Sequence, residues 1–426
     1  MNNTPLANRV HIAFFGRMNS GKSTIINALT NQQVSIVSAE AGTTTDPVTK
    51  AIEIAGIGPV ALIDTAGFDD RTPLGAQRIA ATKNILKKTD IAVLVLDGSD
   101  CTQDLAEEKE WIIQFKKRKT PYAVVINKID TAEDATSLDE FGQRVCGELE
   151  INPIFMSAEK KEKISELTDF LKFLAGKIEE LSICGHLVEQ GDTVLLVMPQ
   201  DIQAPKGRLI LPQVQTIRDL LENKCTIICC TADCLNGALD ALAKPPSLII
   251  TDSQIFPEVS KKKPASSKLT SFSILFAGYK GDIDVFWAGA KEIDRLKEGD
   301  RILIAEACTH NPLDGDISRE KLPALLKKYT GRNLNIEVVS GNNFPNDLSD
   351  YTLIIHCGAC MFNRKYVLSK IDAALSQSVP ITNYGIAMAH MAGISEMIEG
   401  RMLGDNTYVD RKCTRLNSSH PAGSRM

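Results

Sequence analysis

The 426-residue chain carries 48 Lys and Arg against 53 Asp and Glu, a net charge of −5, with 43% hydrophobic and 24% charged residues. These are the proportions of a folded protein of about three domains, and they exclude a disordered or collagen-like chain. The slightly acidic balance makes a poor general polyanion binder, so no nucleic-acid partner is expected. No apolar run approaches the roughly 20 residues that a membrane span needs. The opening MNNTPLANRV has no apolar signal core, so the chain is expected to be cytoplasmic, with no membrane partner. In that compartment its 11 cysteines read as thiols or metal ligands in preference to disulfides.

Short β-branched runs alternate with longer helical patterns, which predicts α/β folding with mostly parallel sheets. Strands are expected at Val10–Phe15, Ala51–Ile54, Val60–Asp64, Ile91–Asp97, Tyr122–Asn127 and Pro153–Met156, with helices such as Gly75–Lys88 between them. A helix over Ile164–Leu181 closes this first domain, residues 1–184. A second α/β domain, 185–268, follows, with strands Thr193–Met198, Thr226–Cys230 and Ser247–Thr251. Lys261–Lys268 reads as a polar loop. The third domain, 269–412, is expected to hold strands Ser271–Phe276, Arg301–Glu306, Leu334–Val339, Tyr351–His356 and Val379–Thr382. Residues 413–426 lack periodicity and read as an unstructured or artefactual tail.

Gly16-Arg17-Met18-Asn19-Ser20-Gly21-Lys22-Ser23 fits GxxxxGKS between a predicted strand and a predicted helix opening at Thr24, the setting of a phosphate-binding loop. Glycines let backbone N–H groups wrap phosphates, Lys22 adds a full charge, and the Ser23 hydroxyl can meet Mg2+. Asp64-Thr65-Ala66-Gly67 ends the next strand but one: Asp64 would face the metal and the Gly67 N–H the γ-phosphate. Asn127-Lys128-Ile129-Asp130 resembles the guanine-specific element of GTPases, and Ser157-Ala158 their last base-contacting loop, which favours GTP over ATP. Gly42-Thr43-Thr44-Thr45-Asp46 stands where a first switch belongs. By resemblance to the Era/TrmE GTPases, Thr44 matches the switch threonine that touches Mg2+. Phe68 replaces the glutamine that orients water in Ras-like enzymes, so hydrolysis needs another group, for which Asp70 is one candidate, the alternative being a solvated loop acid. Asn19 matches a potassium-coordinating position of that group, and the alternative is an ordinary turn residue. A slow, cation-activated GTP hydrolase is expected.

Cys308-Thr309-His310 and His356-Cys357-Gly358-Ala359-Cys360 both follow predicted strands, at the edge where open α/β sheets bind ligands. Spacing leaves three readings open: zinc on Cys and His, a 4Fe–4S cluster on three thiolates, or structural cysteines. Cys225, Cys229, Cys230 and Cys234 read as small hydrophobes, because neighbouring strand positions face opposite ways. His11 reads as structural. His390 either packs within a helix or lines the cluster pocket.

A P-loop GTPase followed by two smaller α/β domains and CxH…HCxxC, with 45 residues between His310 and His356, resembles the HydF family of FeFe-hydrogenase maturation GTPases. The stretches Met198-Pro199-Gln200-Asp201 and Leu211-Pro212-Gln213 resemble that family's dimerisation domain. The resemblance runs from residue 8 to about 412 and implies a homodimer. It also implies a 4Fe–4S cluster on Cys308, Cys357 and Cys360, with His310 or His356 at a labile fourth position. The implied role is a scaffold that receives a diiron precursor from radical-SAM maturases and hands it to apo-hydrogenase, with GTP hydrolysis timing partner exchange. The rival reading, an Era/TrmE-like RNA- or ribosome-associated GTPase with structural zinc, is opposed by residues 271–412. They hold 16 Lys and Arg against 18 Asp and Glu and no basic helix.

Overall fold

The computed structural model describes residues 4–32, 38–40, 48–69, 75–132, 134–178, 181–199, 209–306, 317–341, 343–359 and 362–393. Contacts divide the chain into two compact units, Met1–Leu181 with Ala359–Ser376, and Ser182–Gly358 with Gln377–Met426.

The first unit is built on seven strands in the order β2-β3-β4-β1-β5-β6-β7. These are β1 (Val10–Gly16), β2 (Ser38–Glu40), β3 (Thr49–Ile54), β4 (Gly58–Asp64), β5 (Ile91–Asp97), β6 (Tyr122–Asn127) and β7 (Ile154–Phe155). All neighbours run parallel except β2 with β3 and β3 with β4. The central strands are apolar along most of their length because both sheet faces are covered. Ile12 and Phe14 enter one core, and Ala13 and Phe15 the other. The helices here are α1 (Lys22–Gln32), α2 (Gly75–Leu86), α3 (Ala106–Lys117), α4 (Ala135–Leu149) and α5 (Ile164–Ala175). The last ends six residues short of the expected Leu181, with Gly176 as its cap.

The second unit holds two four-stranded sheets, each wholly parallel among the described residues. One, ordered β11-β10-β8-β9, uses β8 (Thr193–Val197), β9 (Thr226–Cys230), β10 (Leu248–Thr251) and β11 (Lys268–Ser271), with α6 (Leu211–Glu222), α7 (Leu235–Asp240) and α8 (Phe256–Lys262). Two expectations need correction. Lys261 and Lys262 belong to α8, and β11 opens at Lys268, so the loop is shorter than Lys261–Lys268. The strand expected over Ser271–Phe276 is a helix, α9 (Phe272–Lys280), which Ser271 caps by accepting the Ile274 N–H. Residues 269–271 therefore pair with β10 in this sheet.

The other sheet, ordered β13-β12-β14-β15, uses β12 (Arg301–Glu306), β13 (Asn335–Ser340), β14 (Leu353–His356) and β15 (Ile381–Asn383). Its helices are α10 (Ile283–Lys291), α11 (Leu322–Thr330) and α13 (Tyr384–Met391), while α12 (Arg364–Ser376) counts with the first unit. There Asn363, just before α12, donates through Nδ2 to the Lys88 carbonyl at 2.7 Å. No helix among the described residues is long and apolar enough to cross a membrane.

Candidate functional site

The phosphate loop leaves β1 at Gly16 and enters α1 at Lys22. Gly16 has φ +152°, and a Cβ there would lie 2.3 Å from the Val95 carbonyl oxygen; Gly21 has φ +93°, and its Cβ would lie 2.1 Å from Asn127 Nδ2. Only glycine fits at either point. Asn19 takes the left-handed conformation, φ +61°, which Asn tolerates better than most residues. The Lys22 ammonium turns onto the loop, donating to the carbonyls of Gly16 at 3.0 Å and Arg17 at 2.6 Å. Burial pushes its pKa down, with Asp64 and Asp69 opposing.

The expected metal pair converges. The Ser23 hydroxyl donates to Asp64 Oδ2, across 41 residues of sequence. Burial raises the Asp64 pKa, and Ser23, Lys22 and Lys50 pull against it. A Cβ on Gly67 would lie 2.5 Å from the Met18 backbone nitrogen and 2.9 Å from Asp69 Oδ1, so the strand exit lies directly on the phosphate loop. Thr24 sits half-buried on α1. Thr44 and Asp70 lie outside the described residues.

Asn127 joins the base-binding elements to the phosphate loop. Its Nδ2 donates to the Ser20 carbonyl at 3.1 Å, and its Oδ1 accepts the Ala158 N–H at 3.0 Å. Ser157, beside it, is buried and its hydroxyl accepts the Lys160 N–H at 3.1 Å. Lys128 is left-handed, φ +64°, and its ammonium meets Asp97 at 2.6 Å. Burial alone would raise the Asp97 pKa, but hydrogen bonds from Lys128 and Ser99 hold it below the usual carboxylate range. The Asp130 carboxylate is nine-tenths buried, with the Lys160 ammonium at 3.9 Å. Gly16, Asn19, Ser20, Gly21, Lys22, Ser23, Asp64, Gly67, Asn127 and Ala158 thus gather at the C-terminal ends of β1, β4 and β6, the edge where α/β sheets bind ligands.

Two anchors of this loop carried no sequence signal. Glu108 on α3, its side chain 1% exposed, accepts from Arg17 Nε at 2.7 Å and Nη2 at 3.1 Å. Asp69 accepts the Met18 N–H at 2.7 Å. Each pairing spans more than 50 residues, beyond what a motif can show.

The cysteine and histidine groups follow paired neighbours of the third sheet. Ala305 on β12 stands opposite His356 on β14, and the Cys357 N–H donates to the Ala305 carbonyl at 2.9 Å. His356 is 2% exposed, with Nδ1 2.7 Å from the Cys357 carbonyl oxygen. Cys308, His310 and Cys360 lie outside the described residues. Among the described residues no three His, Cys, Asp or Glu side chains converge on a metal position. His390 turns to Asp294, its Nε2 3.0 Å from Oδ1. His11 is buried against the Arg9 carbonyl. Cys184 and Cys225 are buried, and burial pushes both thiols up.

Comparison with known proteins follows this geometry. Residues 11–128 match the family model described as 50S ribosome-binding GTPase. The chain is 37% identical over 160 residues to the tRNA modification GTPase MnmE of Heliobacterium modesticaldum, covering 37% of this chain and 32% of that protein. It is 34% identical over 173 residues to the GTPase Der of Nitratiruptor, covering 39% and 36%. The chain thus spans about a third of the length of these relatives. A solved Era structure from Aquifex aeolicus aligns over 59% of this chain and 97% of that one, at 19% identity and a TM-score of 0.32, too weak a likeness to bear on function. Residues 183–281 match the hydrogen maturase F dimerization domain, and 284–399 its tetramerization domain. Behind a P-loop GTPase domain of the TrmE/Era type, these two matches place the chain in the hydrogen maturase F family.

Proposed function

We propose that this protein hydrolyses GTP and carries a 4Fe–4S cluster on which a diiron precursor is held for delivery to apo FeFe-hydrogenase. The observation that carries the reading is the pairing of β12 with β14, which ends in the Cys357 N–H bonded to Ala305. Two parallel neighbours release their next residues at one sheet edge, so the segments bearing Cys308 and Cys357 start side by side. The donor set fits an iron–sulfur cube: Cys308, Cys357 and Cys360 would hold three irons as thiolates. His310 or His356 would serve the fourth. When bound, the cluster supplies an iron with an exchangeable position, which is what docking another iron species requires. The chain's own part is to keep three thiolates on one edge and leave that position weakly held.

In the first unit, Lys22 and amides of the phosphate loop bind the phosphates. Ser23, Asp64 and Thr44 would hold Mg2+, and Asn19 a potassium ion. Asp130 accepts from the guanine N1–H and amino group, with Asn127, Lys128, Ser157 and Ala158 shaping the base site. Asp70 is assigned to orienting water, since Phe68 cannot. GTP hydrolysis is expected to be slow without a cation or partner, and to time exchange between radical-SAM maturases and the apo-hydrogenase.

Assembly as a homodimer is assigned to the second sheet. It ends on the edge strand β9, where Thr226 and Cys229 are exposed, beside α6, whose Val214 and Leu221 are 47% and 58% exposed. An open strand edge beside exposed apolar side chains is a surface that a second copy can cover.

Protein purified without oxygen tests the cluster assignment. About four iron and four sulfide per chain is the expected result. A colourless protein with one zinc per chain overturns the reading in favour of a structural metal site.

A further inference from the structure

The phosphate loop and the exit of β4 share one foundation. Phe68, 7% exposed, stacks on Trp111 of α3, ring centroids 5.8 Å apart and planes 28° from parallel. Trp111 also packs on Phe15 at 5.0 Å, at the end of β1. Three residues earlier on the same helix, on the same face, Glu108 grips the Arg17 guanidinium through two hydrogen bonds. The circuit closes where Asp69 Oδ1 accepts the Met18 N–H at 2.7 Å. Arg17 and Met18 of the loop, and Phe68 and Asp69 of the strand exit, are therefore fixed to α3 and to each other. Gly67 is required beside them, because a Cβ there would lie 2.5 Å from the Met18 nitrogen.

We propose that Asp69 is a positioning residue for cleavage of the terminal phosphate: its hydrogen bond to the Met18 amide, with Phe68 seated on Trp111, fixes the exit of β4 against the phosphate loop, so that the Gly67 N–H is held where the terminal phosphate binds. This rests on the reading that the site hydrolyses GTP. It explains what the residue at the water-orienting glutamine's place does instead. Phe68 is an anchor, and the task of handling water passes down the chain. A carboxylate suits position 69 because it accepts a backbone N–H strongly. Its role is geometric, so an amide oxygen should replace it. Small displacements of a reacting group cost large factors in rate.

The experiment compares full-length parent, Asp69→Ala and Asp69→Asn in steady-state GTP hydrolysis. Asp69→Ala should lower kcat about tenfold with the KM for GTP within about twofold, and Asp69→Asn should stay within about twofold of the parent in both. A second measurement needs no turnover. The chain has two tryptophans, so in a Trp287→Phe background Trp111 fluorescence reports on the Phe68 contact. Asp69→Ala should make Trp111 more open to acrylamide quenching, and Asp69→Asn should not. Parent-like kcat in the Ala variant overturns the proposal. So does an Asn variant as slow as Ala, or a Trp111 signal that ignores both substitutions. An Ala variant that binds GTP more tightly and turns over normally also overturns it, because the carboxylate would then be competing with the phosphates. A parent without GTP hydrolysis refutes the GTPase reading by itself, while the Trp111 comparison still decides whether Asp69 fixes the exit of β4.

Discussion

Asp130 is the residue to which base choice is assigned. Its carboxylate is nine-tenths buried beside Lys160, so its acceptor oxygens are held at one place, and a base offering two donors suits it. Asp130→Asn replaces an acceptor oxygen with a donor nitrogen. GTP use should fall by roughly 10²-fold or more, with xanthosine triphosphate becoming the better substrate. Competition between the two nucleotides in a hydrolysis assay measures this, and an unchanged preference for GTP refutes the role. At this scale the sequence was most informative where function is local. Asn127, Lys128 and Asp130 lie within four positions, and Gly16 to Ser23 within eight, so their spacing and their resemblance to GTPase motifs pointed to the chemistry. The partners that steady them were illegible for the same reason: Glu108 stands 91 residues from Arg17, and Asp69 51 residues from Met18. No pattern links such pairs before the chain has folded.

Among elements, α9 departs furthest from expectation. Phe272, Ile274, Leu275, Phe276 and Ala277 are all buried, so the apolar positions show neither period 2 nor period 3.6, and a buried helix of nine residues looks like a strand. Ser271, its capping residue, was the available signal. On α12, Lys370 is 6% exposed, with its ammonium 4.8 Å from the Tyr366 ring. Burial, and then the nearby charge of Lys87, push its pKa down from 10.5 to about 8. Between those values the unfolded chain binds more protons than the folded one, so the contribution of this group to stability rises with pH across that window. The fold bears the cost of the buried charge below pH 8 and is relieved of it towards pH 10.5. Any advantage of Lys370→Met over the parent should therefore shrink by about 3 kcal/mol between pH 7 and 10.5. Denaturant melts of both proteins across that range test this, and a pH-independent difference contradicts it. On α6, Val214→Glu with Leu221→Glu places two charges on exposed apolar positions seven residues apart. If α6 and the β9 edge cover a second copy, the double variant should sediment as a monomer while GTP hydrolysis is retained. A variant that stays dimeric places the interface elsewhere.

At the scale of the whole molecule, the alternation of strands and helices was legible and the contacts between distant segments were not. Three mostly parallel sheets follow one another along the chain as alternating strand and helix patterns predict. The two later sheets nevertheless form one compact unit, and Ala359–Ser376, which follows Cys357, counts with the GTPase unit. Contact between distant elements depends on side chains that meet only in three dimensions. Asn363 bonding to Lys88, 275 residues away, is one such meeting. The candidate cluster site was legible through CxH and HCxxC because ligand spacing is local, and the structure adds that β12 and β14 are neighbours. Whether that edge is the working site is tested most directly by transfer. Protein loaded by the radical-SAM maturases is mixed with apo FeFe-hydrogenase and hydrogen evolution is recorded, for the parent and for Cys308→Ser, Cys357→Ser and Cys360→Ser. The account predicts that the parent activates the hydrogenase and that each serine variant, while still hydrolysing GTP, does not. Activation at the parent level by all three variants would contradict it.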